Sequence, residues 1–347
     1  MMSVMKALVL EEYDKLVYKE VPVPDIARDE VLVRVEACGI CGSDVHGMDG
    51  STGRRIPPVI MGHEASGVIE RAGRDIKKWR PGDRVTFDST IYPLDDWFSL
   101  RGAYNLSDNR MVLGVSCKEF HRNGAFAEYV AIPGHILTRV PDGVSFEQAA
   151  MLEPIGVALH AVRLTPIDVD DSVIVFGAGM IGLFLIQVLR STGSGQIIAV
   201  DIENEKLALA KELGATVALN PSDCDLQKEV LELTETRGAD VAFEAIGIPQ
   251  TVNAAVTCVR KGATVTLVGN LTPVVELPLQ MVVSRQIRLQ GSCAICGEFP
   301  TALAMIADGR IVVERIISAT APLKDGAEWF RRLHQKEKGL MKVILKP

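Results

Sequence analysis

The sequence predicts a mixed α/β chain in two domains, a first one of many short strands and a second one with a doubly wound parallel sheet. Three observations carry this. At 347 residues the chain is too long for one ordinary core. Up to about residue 150, short β-type runs are punctuated by Gly and Pro, as in a small β-barrel-like domain. From about Val157 wholly apolar four-residue runs alternate with helical stretches, the pattern of strands buried on both faces.

The elements follow in order. Residues 7–37 read as short strands, the last being Val31–Val35, and Val59-Ile60-Met61 leads into Gly62-His63-Glu64. Gly67–Arg71 and Asp83–Thr86 are further strands, with Pro81-Gly82-Asp83 as the turn between them. In the second domain Val173–Phe176 is a strand and a helix runs from Leu183 to about Arg190; Ile197–Val200 is the next strand, ending at Asp201. Glu205–Leu213 is helical, and Val217–Leu219, Val241–Glu244 and Thr264–Val268 continue the alternation. After Gly291 the pattern shifts, ending in an amphipathic helix of about residues 324–335 and a strand, Met341–Leu345. This tail is expected to return to the first domain. The expected boundaries are 1–157 plus 296–347, and 158–295.

Composition narrows the function classes. The net charge of −7 argues against a nucleic-acid binder. No apolar run approaches the ~18 residues of a membrane span, and the start lacks the features of a signal peptide. Seven scattered cysteines, an odd number, fit a reducing compartment better than a disulfide framework, so a cytoplasmic protein is expected.

Two constellations carry chemistry. The first is Gly177-Ala178-Gly179-Met180-Ile181-Gly182, set between a strand and a helix, with Asp201 at the end of the next strand. The glycines let backbone N–H groups approach a pyrophosphate, the helix N-terminus favours its charge, and the acidic residue suits a ribose diol. Ile202 and Glu203 beside Asp201 offer no cation for a 2′-phosphate, which favours NAD over NADP. Gly177, Gly179, Met180, Ile181, Gly182 and Asp201, with Lys206 on the following helix, are the cofactor-binding candidates. The second constellation places Cys41 and His46 in Gly39–His46, His63 and Glu64 in the next cluster, and Glu153 in Leu152-Glu153-Pro154. A thiolate, an imidazole and a carboxylate from three places leave the fourth corner of a tetrahedron open, as catalytic zinc requires.

With these residues in hand, the chain resembles the zinc-dependent medium-chain dehydrogenases, and within them the polyol branch of sorbitol (L-iditol) 2-dehydrogenases and galactitol-1-phosphate 5-dehydrogenases. The likeness spans nearly the whole chain: Gly39–His46, Gly62-His63-Glu64-x-x-Gly67, Pro81-Gly82-Asp83-Arg84-Val85, Gly124-x-Phe126-Ala127-Glu128-Tyr129, Leu152-Glu153-Pro154 and the glycine fingerprint with Asp201. The resemblance implies a GroES-like β-barrel catalytic domain and a Rossmann NAD domain. It implies one catalytic zinc held by Cys41, His63 and Glu153, with Glu64 as an exchanging ligand or outer carboxylate. Ser43 and His46 would relay the proton, and Asp44 would orient the His63 ring. The implied reaction is reversible, NAD-dependent oxidation of a polyol or cyclitol secondary alcohol by a homodimer or homotetramer. A phosphorylated polyol or threonine are the alternative substrates, and an NAD-binding structural protein the non-enzymatic one.

One region departs from the resemblance. Many relatives in the resembled family carry a second, structural zinc in a four-cysteine lobe. Here that lobe, about Asp88 to Leu113, has no cysteine, and Pro93, Asp96, Ser99 and Ser107 stand at the matching positions. Oxygen ligands cannot reproduce a four-thiolate site, so a single zinc is expected. Tyr92, Trp97, Phe98 and Tyr104 would form an apolar cluster there instead. Cys38 reads as a small buried residue, and Cys293-x-x-Cys296 as packed cysteines or as a redox-active or metal-binding pair. Phe120, Phe126 and Phe299 are candidate cleft walls. The Arg54-Arg55 doublet reads as a solvated turn or as a clamp for a substrate phosphate.

Overall fold

The strand Glu30–Gly39 is the spine of the first unit because three partners pair with it. Glu64–Ala72 and Tyr129–Pro133 run antiparallel to it, and the last strand of the chain, Lys342–Lys346, pairs at its end, Leu345 opposite Cys38. The computed structural model describes residues 4–347, which divide into two compact units. Of the described residues, one unit comprises 4–153, Ile295–Asp308 and Val313–Pro347; the other comprises Pro154–Ala294 and Gly309–Val312. The C-terminal tail thus joins the N-terminal part, while the junction lies at Glu153 and Pro154 and a short segment near residue 310 belongs to the second unit.

In the first unit the spine sits in a seven-stranded sheet, and Val4–Glu12 pairs with Lys15–Pro22 and Val59–Ile60 in a three-stranded one. Their inward faces bury Leu8, Leu10, Val33, Phe87 and Phe126. Phe126 packs edge-on against Phe330, with ring centroids 5.5 Å apart, so it fills this core and does not wall a cleft. Phe330 lies on the amphipathic helix Gly326–His334, which follows a short 3₁₀ turn.

Register brings the predicted ligands together. Gly39 lies opposite Glu64, so the chain leaving the spine at Cys41 emerges beside His63 and Glu64. A side chain at position 39 would overlap the Glu64 carboxylate, which explains glycine there. From the neighbouring strand Lys342 donates to this carboxylate and, at 2.9 Å, to the Ile40 carbonyl oxygen. Both charged side chains are fully buried.

The second unit is a six-stranded parallel sheet in the order Val217–Leu219, Ile197–Val200, Val173–Phe176, Ala239–Glu244, Val259–Leu267, Arg288–Gly291. The order steps outwards in both directions from Val173–Phe176, so a topological switch point lies at the carboxyl end of that strand, where such sheets bind ligands. The following helix, Met180–Leu189, begins three residues earlier than the apolar periodicity indicates, because Gly179 caps it and starts the helix inside the glycine turn. A Cβ on Gly182 would overlap the Gly177 carbonyl oxygen, so only glycine lets helix and strand approach this closely.

Two substitutions test these contacts. Gly182→Ala is expected to destabilise the second unit by about 1–3 kcal/mol through overpacking and to weaken NADH binding. An unchanged fluorescence-titrated Kd would show that the turn is not the phosphate seat. Lys342→Met leaves Glu64 buried without its partner and is expected to cost about 3–5 kcal/mol in urea denaturation of chelator-treated protein. The double variant with Glu64→Gln should recover most of that loss; no recovery would mean that the pair is not what Lys342 contributes.

Candidate metal centre

Cys41 is the N-cap of a six-residue helix, Gly42–Gly47, and its sulfur accepts the Ser43 N–H at 3.4 Å and the Ser43 hydroxyl at 3.2 Å. This turn puts Asp44 inside the unit while Ser43 and His46 stay exposed. Cys41, His63 and Glu64 each offer a ligand atom, all within 4.8 Å of one another. They form the one such group of three or more among the described residues.

The electrostatics of this pocket are those of a cation site. Asp44 Oδ2, His63 Nδ1 and Glu64 Oε1 are buried without hydrogen-bond partners. Burial works against charge on Asp44, but His63 and Arg55 outweigh it and hold the carboxyl down at about 2. Burial likewise works against charge on His63, and Asp44 with Cys41 carries it well above its ordinary value. His63 Nδ1 faces Asp44 Oδ2 across 3.4 Å, which leaves Nε2 as the ring nitrogen to ligate. A thiolate, an imidazole braced by a carboxylate, and a second carboxylate with an orphaned oxygen fit zinc.

Glu153 stands differently from its expected role. It lies in the first turn of the helix Leu152–Leu164, and the Ser89 hydroxyl donates to it at 3.4 Å. Its carboxylate is outside the 4.8 Å group, which contains Glu64 in its place. Burial pushes Glu153 up to about 7, a rise opposed by His63 and reinforced by Glu64. Its carboxylate therefore feels the charges of the group from close by. Asp88, nearby in this network, is also pushed up by burial, to about 6; it accepts from the Tyr104 hydroxyl at 2.7 Å.

Sequence reasoning missed Lys342 and misjudged Arg55. Lys342 sits in an apolar run with nothing local to mark it as the partner of Glu64. Arg55 is buried, donating to Asp44 at 2.7 and 3.0 Å; only Arg54 of the doublet is exposed, so the pair is neither a solvated turn nor an open clamp. In the cysteine-free lobe Asp96 accepts from the Ser99 N–H at 2.6 Å and from the buried Ser107 hydroxyl. The aromatics there form two separate pairs, Tyr92 stacked on Tyr104 at 4.0 Å and Trp97 edge-on to Phe98 at 5.0 Å. Cys38 is fully buried on the spine strand. Cys293 and Cys296 are unbridged, and the Cys296 thiol donates to the Gly102 carbonyl oxygen at 2.9 Å.

In the second unit Asp201 accepts from the Ala178 N–H of the glycine turn at 2.8 Å and from the Glu203 N–H at 3.0 Å. Lys206 is paired with Glu203 at 2.6 Å, inside the helix's own first turn. No atom lies within 4 Å of a Cβ built on Gly179, which leaves open space beside the turn for a pyrophosphate.

Comparison with known proteins points to one family. The zinc-binding dehydrogenase family matches residues 181–308, and the alcohol dehydrogenase GroES-like domain matches residues 27–142. Sorbitol dehydrogenase of Bacillus subtilis is 30% identical, over 99% of this chain and 97% of its own. Galactitol-1-phosphate dehydrogenase of Escherichia coli superposes with a TM-score of 0.91 at 30% identity, covering 99% of this chain and 100% of that one. A Sinorhizobium meliloti chain classed as a zinc-binding dehydrogenase, solved bound to NADP, superposes at 0.92 with 31% identity over 99% and 100% of the two chains. The chain belongs to the zinc-dependent medium-chain dehydrogenase family, in its polyol branch, and is an oxidoreductase that uses zinc and a nicotinamide cofactor.

Proposed function

We propose that the protein oxidises a secondary alcohol of a polyol or cyclitol to a ketone, with NAD as hydride acceptor. The observation that carries this reading is the convergence of Cys41, His63 and Glu64 within 4.8 Å, with an orphaned buried oxygen, Oε1, on Glu64. Zinc held there supplies Lewis acidity toward the alcohol oxygen, and the nicotinamide supplies the hydride acceptor. Cys41 and His63 are the proposed ligands, with Glu64 or Glu153 as the exchanging carboxylate. Ser43, exposed and two residues from Cys41, takes the alcohol proton. His46 lies three residues further, about one helical turn, and exposed, so it can pass the proton to solvent. NAD is preferred to NADP because Asp201 and Glu203 place negative charge where a 2′-phosphate would lie, and Lys206 is already neutralised by Glu203.

A homo-oligomer is proposed with it. The edge strand Arg288–Gly291 leaves one side of the sheet unpaired, and Val274, Leu279 and Val283 in the same unit are 78%, 69% and 71% exposed. A second copy covering this face would remove both liabilities. Light scattering should find a dimer or larger; a monomer at micromolar concentration would exclude it. No described helix is long and apolar enough to cross a membrane, and all seven cysteines are unbridged, which supports the cytoplasm as the proposed compartment. A secreted, disulfide-bonded form would contradict that.

The activity test is NADH formation across free and phosphorylated polyols, cyclitols and threonine, with zinc counted per subunit. Turnover of an unphosphorylated polyol by a protein with one zinc is expected. Turnover confined to phosphorylated substrates or threonine would replace the substrate class, and no zinc with no turnover would sink the mechanism.

A further inference from the structure

We propose that Arg55 is a positioning residue for the metal centre, a single buried guanidinium that braces His63 through Asp44 and Cys41 through Ser43. The inference rests on the metal-site reading above. Arg55 is 3% exposed, and its donors are divided between two neighbours of the ligands. Nε and Nη2 donate to Asp44 Oδ1 at 3.0 and 2.7 Å, and Nη2 also donates to Ser43 Oγ at 3.3 Å. Nη1 donates to the Arg54 carbonyl oxygen at 2.9 Å, which ties the guanidinium to its own backbone. From Asp44 the path continues through Oδ2, 3.4 Å from His63 Nδ1. From Ser43 it continues through the hydroxyl, 3.2 Å from Cys41 Sγ.

Charge explains why an arginine is needed. A metal-ligating imidazole is neutral, so it cannot balance Asp44, which is fully buried. A guanidinium is always protonated and its planar fork matches a carboxylate, so it balances Asp44 whatever occupies the ligand group. Arg55 then offsets Asp44 as Lys342 offsets Glu64, and the Cys41 thiolate and Glu153 carboxylate remain to balance a divalent ion. The contact to Ser43 has a second effect. Arginine only donates, so the bond occupies one acceptor position of Ser43, turns its hydrogen toward Cys41 Sγ and leaves its second lone pair for the alcohol proton.

The test uses the full chain as purified, with Arg55→Met and Arg55→Lys. Zinc affinity is read by competition with a chromophoric chelator, and site geometry by the visible spectrum after cobalt substitution. Arg55→Met is expected to lower zinc affinity about 10–100-fold and to shift the cobalt bands. Arg55→Lys restores the charge on Asp44 but cannot fork to Ser43. It is therefore expected to keep zinc affinity within about threefold of wild type while kcat falls about fivefold or more across the pH profile. Wild-type zinc affinity and cobalt spectrum in Arg55→Met would overturn the inference. Should that variant fail to fold, an unchanged kcat in Arg55→Lys would overturn it as well. A wild-type protein that holds no zinc would instead overturn the metal reading on which the inference stands.

Discussion

The buried pair of Lys342 and Glu64 is the interaction on which the first unit depends. Two opposite charges with no solvent contact persist only when each satisfies the other, and removing either leaves an uncompensated ion in an apolar interior. The pair lies where the spine strand, the strand beginning at Glu64 and the C-terminal strand meet. Its geometry demands glycine at position 39 and the register that sets Gly39 opposite Glu64. Once that register is set, Cys41 and His63 have nowhere to emerge except beside Glu64. One carboxylate thus serves two ends: Oε2 holds the last strand in place, and Oε1 remains an unpartnered oxygen in the ligand group.

The same economy governs the rest of the pocket. Asp44 faces His63 with one oxygen and a permanent cation, Arg55, with the other. Its low pKa is the net result of burial opposed by two positive neighbours. Glu153 and Asp88 lack such partners at short range, and burial moves both upward, to about 7 and about 6. Four carboxylates in one neighbourhood therefore behave differently because their partners differ: two are clamped by buried cations, and two sit near the pH at which they exchange protons.

In the second unit Asp201 shows how a binding residue is prepared by its own backbone. Its two oxygens accept N–H groups from the glycine turn and from its own loop. The carboxylate therefore stands fixed at the strand end, and the turn is held open at Gly179. Strand, turn, helix and second strand act as one device, which is why their joint presence in the sequence is informative when a glycine triplet alone is not.

The sequence by itself determined the elements whose cause is local. Val173–Phe176 and Ile197–Val200 are strands over those residues because unbroken apolar runs suit a sheet buried on both faces, while the half-buried Val217–Leu219 forms its edge. The return of the C-terminal tail to the first unit was also expected, and Cys41 and His63 stood out by residue chemistry and spacing, whereas Glu64 entered the ligand set only through the resemblance. Partnership across long separations was decided only by the tertiary structure. Glu64 meets Lys342 across 278 positions, and no periodicity encodes that. The burial of Arg55 depends on Asp44 being turned inward by a six-residue helix, too short to leave an amphipathic signature. The proximity of Glu64 to Cys41 and His63 followed from strand register, a property of paired chains and not of either chain segment alone.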